Sequence, residues 1–203
     1  MTDAKTAAPT VSRTPIHKRV VSYQGYARSD GRWDIEAHLV DTKGYTMSRF
    51  GERVLEAGKA AHDMSICVTV DDALTILDIR TGMAATPFGE CQQAIDPMRG
   101  LIGAQLGRGW RKTLNAVIGG EAGCTHLREL LGNLATAALQ TVPPYRKHLK
   151  REQGMSNADE VDMPHFVGQC MTWRRGGPTV ARIYPQFSLT HERSTTSTDP
   201  AKE

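Results

Sequence analysis

Residues 32–42 read RWDIEAHLVDT, and their alternation decides the fold. Trp33, Ile35, Ala37 and Leu39 fall on one side of an extended chain, and Asp34, Glu36, His38 and Val40 on the other. That period of two belongs to a strand with one face buried. Upstream, Ser29-Asp30-Gly31 separates this run from a second strand-like run at 19–27, and Asp-Gly in that setting predicts a hairpin. Downstream, Met64, Ile66, Val68 and Val70 repeat the alternation. Asp71-Asp72-Ala73 then predicts a turn into a further strand over 74–80. The first half is therefore expected to form a four-stranded antiparallel meander over about 19–82.

The second half has helical spacing. Leu127, Leu130, Leu131, Leu134, Ala138 and Leu139 share one stripe, with Thr125 as N-cap and Pro143-Pro144 as the expected stop. Shorter helices are predicted over 95–106 and 110–118, and a last pair of strands over 167–173 and 179–184. Strands first and helices second indicate an α+β fold, with helices on one face of the sheet. Residues 1–15 and 191–203 are rich in Thr, Ser, Pro and charge and are expected to be disordered tails. Between them a single α+β domain is expected over 16–190. The loop at 153–162 would lead to a C-terminal appendage from about 163.

Composition narrows the function classes. The chain has 203 residues and a net charge of +3, too balanced to predict a nucleic-acid partner. Mean hydropathy is −0.40, and no apolar run approaches the roughly 18 residues of a membrane span. Residues 1–13 are polar and predict no export signal. A cytoplasmic protein with a small-molecule or protein partner, and neither nucleic acid nor membrane, is the expectation. In a reducing compartment Cys67, Cys91, Cys124 and Cys170 are read as thiols or metal ligands rather than disulfides.

Three junctions concentrate metal-capable side chains: His62-Asp63 at a strand start, Cys91 in the loop before a helix, and Cys124-Thr125-His126 at the start of the leucine-rich helix. An imidazole, a carboxylate and thiolates suit zinc or iron. The candidate ligands are His62, Asp63, Cys91, Cys124 and His126. Of the last pair, Cys124 is the favoured ligand because a helix N-terminus stabilises a thiolate, which leaves His126 for acid–base work. Asp34, Glu36 and His38 share a strand face, with Asp41 near its end, and could move protons beside such an ion. The alternatives are a metal-dependent enzyme of lyase or hydrolase type using the same site, and an interaction module whose cysteines are only core residues. The basic run 146–151 reads as cations at a helix end.

Two resemblances add to this. Arg32-Trp33-Asp34-Ile35-Glu36, His62-Asp63-Met64, Gly109-Trp110 and Gly123-Cys124-Thr125-His126-Leu127 resemble a bacterial family classed as a domain of unknown function, over roughly 17–185. Cys170 also matches a cysteine position of that family. More distantly, the order of sheet and helices over about 61–141 is similar to iron–sulfur cluster assembly scaffolds. That likeness puts Ala61-His62-Asp63, Cys91 and Cys124-Thr125-His126 at the three ligand places. The first scaffold cysteine is absent here and the His-Cys pair is reversed, so the likeness implies a mononuclear zinc or iron site rather than a cluster.

Overall fold

The computed structural model describes residues 11–49, 53–155, 163–164 and 166–188. The expected tail at 191–203, most of that at 1–15, and most of the loop at 153–162 lie outside them. The described chain falls into two compact units divided between Glu152 and Gln153.

The first unit is α+β. Strands β1 (His17–Ala27), β2 (Trp33–Lys43), β5 (Ala60–Val70) and β6 (Ile76–Ala85) form one antiparallel sheet in the order β1-β2-β5-β6. Between β2 and β5 the chain adds a hairpin the sequence did not announce, β3 (Met47–Arg49) with β4 (Arg53–Leu55). Three-residue strands are too short to show alternation. The β1–β2 turn is the expected one, with Gly31 at φ 76° and Arg28 N–H donating to Arg32 O at 2.9 Å. The β5–β6 turn is longer than expected. Asp71 Oδ1 accepts from the N–H groups of Ala73 and Thr75, so the strand begins at Ile76 rather than Leu74.

Helices α1 (Trp110–Ile118) and α2 (Thr125–Glu152) follow. α2 lies on β1 and β2 and buries Leu127, Leu130, Leu131, Leu134 and Ala138. Each of those leucines contributes roughly 1.5–3 kcal/mol by removal from water. Their core partners include Trp33, Ile35, Ala37 and Leu39, the apolar side of β2. At Gly25 the helix comes so close that a Cβ would meet the Thr141 side chain.

Three expectations need correction. Residues 95–106 do not form an α-helix: two 3-10 turns run Gly89–Ala94 and Asp96–Leu101, and Gln105 then makes an isolated antiparallel bridge with Thr75, just before β6. Pro97 removes a donor, and Gly100 and Gly103 weaken a helix further. The chain instead spends its groups on Gly103 N–H to Ile76 O at 2.8 Å and Ile76 N–H to Ala104 O at 2.9 Å. α2 does not stop at Pro143-Pro144 but continues to Glu152. Buried Val142, the edge-on packing of Trp33 and Tyr145 (centroids 5.8 Å apart), and the Arg146–Asp72 ion pair at 3.0 Å hold the distal turns in place.

The third correction lies in the second unit. The expected strands at 167–173 and 179–184 are a run of turns and a short helix, α3 (Pro178–Ile183). Pro178 sits at the first helical position, where its missing N–H costs nothing. Phe166, Trp173 and Tyr184 pack against one another there, and Val167 and Val180 are buried.

Candidate metal centre

Alternation along β2 does not stop at Leu39: Asp41 is the next inward position, and its side chain is only 4% exposed. A buried carboxylate must be paired, and four side chains from three elements face this one. On β1, Arg19 is the register partner of Asp41 and chelates it. Arg19 Nε donates to Oδ1 and Nη2 to Oδ2, both at 2.8 Å. His17 Nε2 lies 3.0 Å from Oδ1.

On β5, Asp41 pairs with His62 while Thr42 pairs with Ala60, so Ala61 is an extra residue in a bulge. His62 lies next to the bulge in the regular part of the ladder and keeps the inward alternation of Met64, Ile66, Val68 and Val70. His62 Nδ1 stands 3.2 Å from Asp41 Oδ2. His126, in the first turn of α2, brings Nε2 to 3.7 Å from the same oxygen. The two imidazoles lie with ring centroids 3.9 Å apart and planes inclined by 34°. Among the described residues, Asp41, His62 and His126 are the group of three whose ligand atoms all lie within 4.8 Å of one another.

Electrostatics keeps Asp41 ionised. Burial pushes its pKa up, but the hydrogen bonds from Arg19 and His17, with the charges of Arg19 and His62, outweigh it and hold the carboxyl at about 2. The Asp41 hydrogen bond in turn pushes the Arg19 guanidinium further up. Arg19 Nη1 also donates to Glu129 Oε2 at 2.9 Å, tying β1 to α2.

Of the residues expected at the site, His62 and His126 meet. Asp63 does not join them: next to His62 on a strand, it points to the opposite face, where its Oδ1 lies 2.7 Å from His38 Nε2. Cys91 lies in the first 3-10 turn and Cys124 just before α2, and neither joins the group. Cys124 is nonetheless adjacent, its Sγ 3.8 Å from His126 Nδ1. Cys170 lies in the second unit.

Asp34, Glu36 and His38 share a face, as expected, but it is the face turned away from α2 and hence from His126. Asp34 is held there by Thr69 Oγ1 at 2.6 Å and Arg28 Nη1 at 3.1 Å. Asp41, grouped with that polar face by its place at the strand end, lies on the other one. Arg19 and His17 do not stand out in the sequence, and Asp41 is expected there on the wrong face. The available signal was an acid continuing the apolar row Trp33, Ile35, Ala37, Leu39 at the same two-residue step.

A family model described as "Protein of unknown function (DUF2889)" matches residues 17–140. The chain belongs to this family. The match is shorter than the expected 17–185 and leaves Cys170 outside it. No curated protein and no solved structure matches the chain.

Proposed function

We propose that Asp41, His62 and His126 hold a mononuclear zinc or iron ion, and that the protein is a cytoplasmic metal-binding protein whose ion keeps one position open. One observation carries this reading. Neighbouring ligand atoms around a tetrahedral ion with bonds of about 2.0–2.1 Å stand roughly 3.3–3.4 Å apart. Asp41 Oδ2 stands 3.2 Å from His62 Nδ1 and 3.7 Å from His126 Nε2. Two imidazoles and a carboxylate suit zinc and non-haem iron alike. Four half-buried or exposed thiols suit a reducing compartment.

The surroundings support the same reading. Ligating carboxylates and imidazoles are normally held from behind by other groups. Arg19 and His17 hold Asp41 Oδ1, and Cys124 Sγ stands behind His126 Nδ1. Three protein ligands leave a position for water or substrate, where a bound ion supplies Lewis-acid chemistry of lyase or hydrolase type. The test is metal content by mass spectrometry of protein purified without added metal, aerobically and anaerobically. Near-stoichiometric zinc or iron is expected in the parent and in Asp63→Asn, with loss in Asp41→Asn, His62→Gln and His126→Gln. A folded, metal-free parent overturns the reading.

A second reading rests on Arg19, whose fork already neutralises Asp41. In it the cluster is an ion-pair network joining β1, β2, β5 and α2, and the protein is a non-catalytic interaction module.

A further inference from the structure

The face of the sheet turned away from α2 carries a second set of reactive side chains. Register lays two rows across the strands, Gln24–Glu36–Cys67–Arg80 and Ser22–His38–Ser65–Gly82. Three of the four places in the second row hold small residues, and a cleft of about 660 Å³ opens over these rows. His38 stands opposite Ser65, so Asp63 and Cys67 flank it on β5 as diagonal neighbours on one face. Asp63 takes His38 Nε2 at 2.7 Å, which leaves Nδ1 to exchange a proton. Arg80 Nη2 donates to Cys67 Sγ at 3.1 Å.

We propose that Cys67 is a thiol–disulfide exchange site for small disulfides that carry a carboxylate. His38 accepts the thiol proton, Asp63 positions His38, and Arg80 seats the carboxylate. The floor of the cleft selects this chemistry. β2 and β5 each lie between two strands, so their backbone N–H groups are spent on ladder bonds and offer no oxyanion hole for acyl transfer. Disulfide exchange develops its charge on sulfur and needs no such donor pair.

The step balances. His38 Nδ1 takes the Cys67 proton, and the thiolate attacks one sulfur of the disulfide. The new S–S bond to Cys67 forms as the old one breaks. The leaving thiolate takes the proton from His38 and departs as a thiol. Cys67 is oxidised to the mixed disulfide and the departing sulfur is reduced.

The groups around Cys67 explain why a base is needed. Asp34, Glu36 and His38 approach from β2, Arg80 and Asp78 from β6, Asp63 from its own strand and Tyr26 from β1. Burial pushes the thiol up, and Asp34 and Glu36 add to this against the Arg80 hydrogen bond.

The intact chain is treated with 5,5′-dithiobis(2-nitrobenzoate), which carries carboxylates, and in parallel with uncharged 2,2′-dithiodipyridine. Peptide mass spectrometry reads Cys67 apart from Cys91, Cys124 and Cys170. Arg80→Gln removes the hydrogen bond to Cys67 Sγ and so slows both reagents, but it is expected to slow the carboxylate reagent at Cys67 about fivefold more than the uncharged one. His38→Gln is expected to slow both reagents at Cys67 and to change the pH profile of that rate, because the thiol loses its base. Both side chains stand on an open face, and circular dichroism checks that each variant is folded. Equal slowing of both reagents by Arg80→Gln, an unchanged pH profile in His38→Gln, or no Cys67 labelling in the folded parent overturns the proposal.

Discussion

Arg19 spans the Asp41 carboxylate with two arms of its fork, each 2.8 Å from a different oxygen. A cation thus already sits where an ion would share Asp41 Oδ2. The two readings of the cluster therefore part at Arg19→Ala. Losing this partner of a buried carboxylate should cost about 2 kcal/mol of stability in metal-free protein. If an ion binds, the same variant should bind it more tightly, because a competing positive charge is gone. Titration with zinc followed by calorimetry checks this. Lower stability with no metal affinity in either protein favours the ion-pair network.

Acid should unfold the protein in part through Asp41. Its carboxyl is held at about 2 against an ordinary 3.8. An acid depressed by folding contributes stability that is fully present above the unfolded value and is lost as pH falls through the folded one. The contribution is roughly 2 kcal/mol, lost between about pH 4 and pH 2. Urea midpoints at several pH values across that window should fall more steeply in the parent than in Asp41→Asn. Parallel slopes would assign the acid sensitivity to other carboxylates.

Gly25→Ala should destabilise the seam between β1 and α2. A Cβ there would collide with the Oγ1, Cγ2 and Cβ atoms of Thr141, whose hydroxyl donates to Ala137 O at 2.9 Å. Overpacking of this kind costs typically 1–3 kcal/mol. Thr141→Ala should recover part of the loss in the double variant, as seen by thermal melting. Additive losses would place the strain elsewhere.

The sheet and the buried face of α2 were legible because period-two and period-3.6 patterns survive in single residues: Trp33 to Leu39 on one side, Leu127 to Ala138 on the other. The course of α2 past Pro143-Pro144 was not, because Tyr145 and Arg146 are anchored by Trp33 and Asp72, more than seventy residues away in sequence. At the site, sequence neighbours misled. His62 and Asp63 are adjacent, but a strand sends them to opposite faces. The acid that meets His62 comes instead from the paired position on β2, in a register that runs unbroken from Trp33–Val70 to Asp41–His62. Long-range register of this kind has no local signature.

In the proposed site the roles expected of Cys124 and His126 are exchanged. A thiolate favoured by the helix N-terminus made Cys124 the natural ligand, with His126 left for proton transfer. In the structure His126 Nε2 faces Asp41 Oδ2 at 3.7 Å, while Cys124 Sγ stands by the other ring nitrogen at 3.8 Å. Cys124 is therefore placed to hold the ring rather than the ion. His126→Gln should abolish metal binding, because an amide replaces one of three ligands. Cys124→Ser should keep the metal with affinity reduced by roughly tenfold, the lower end of what supporting groups contribute. Competition with a coloured zinc chelator measures both, and thermal melting without metal separates ligand loss from unfolding. Metal retained in His126→Gln and lost in Cys124→Ser would return the ligand role to the thiolate.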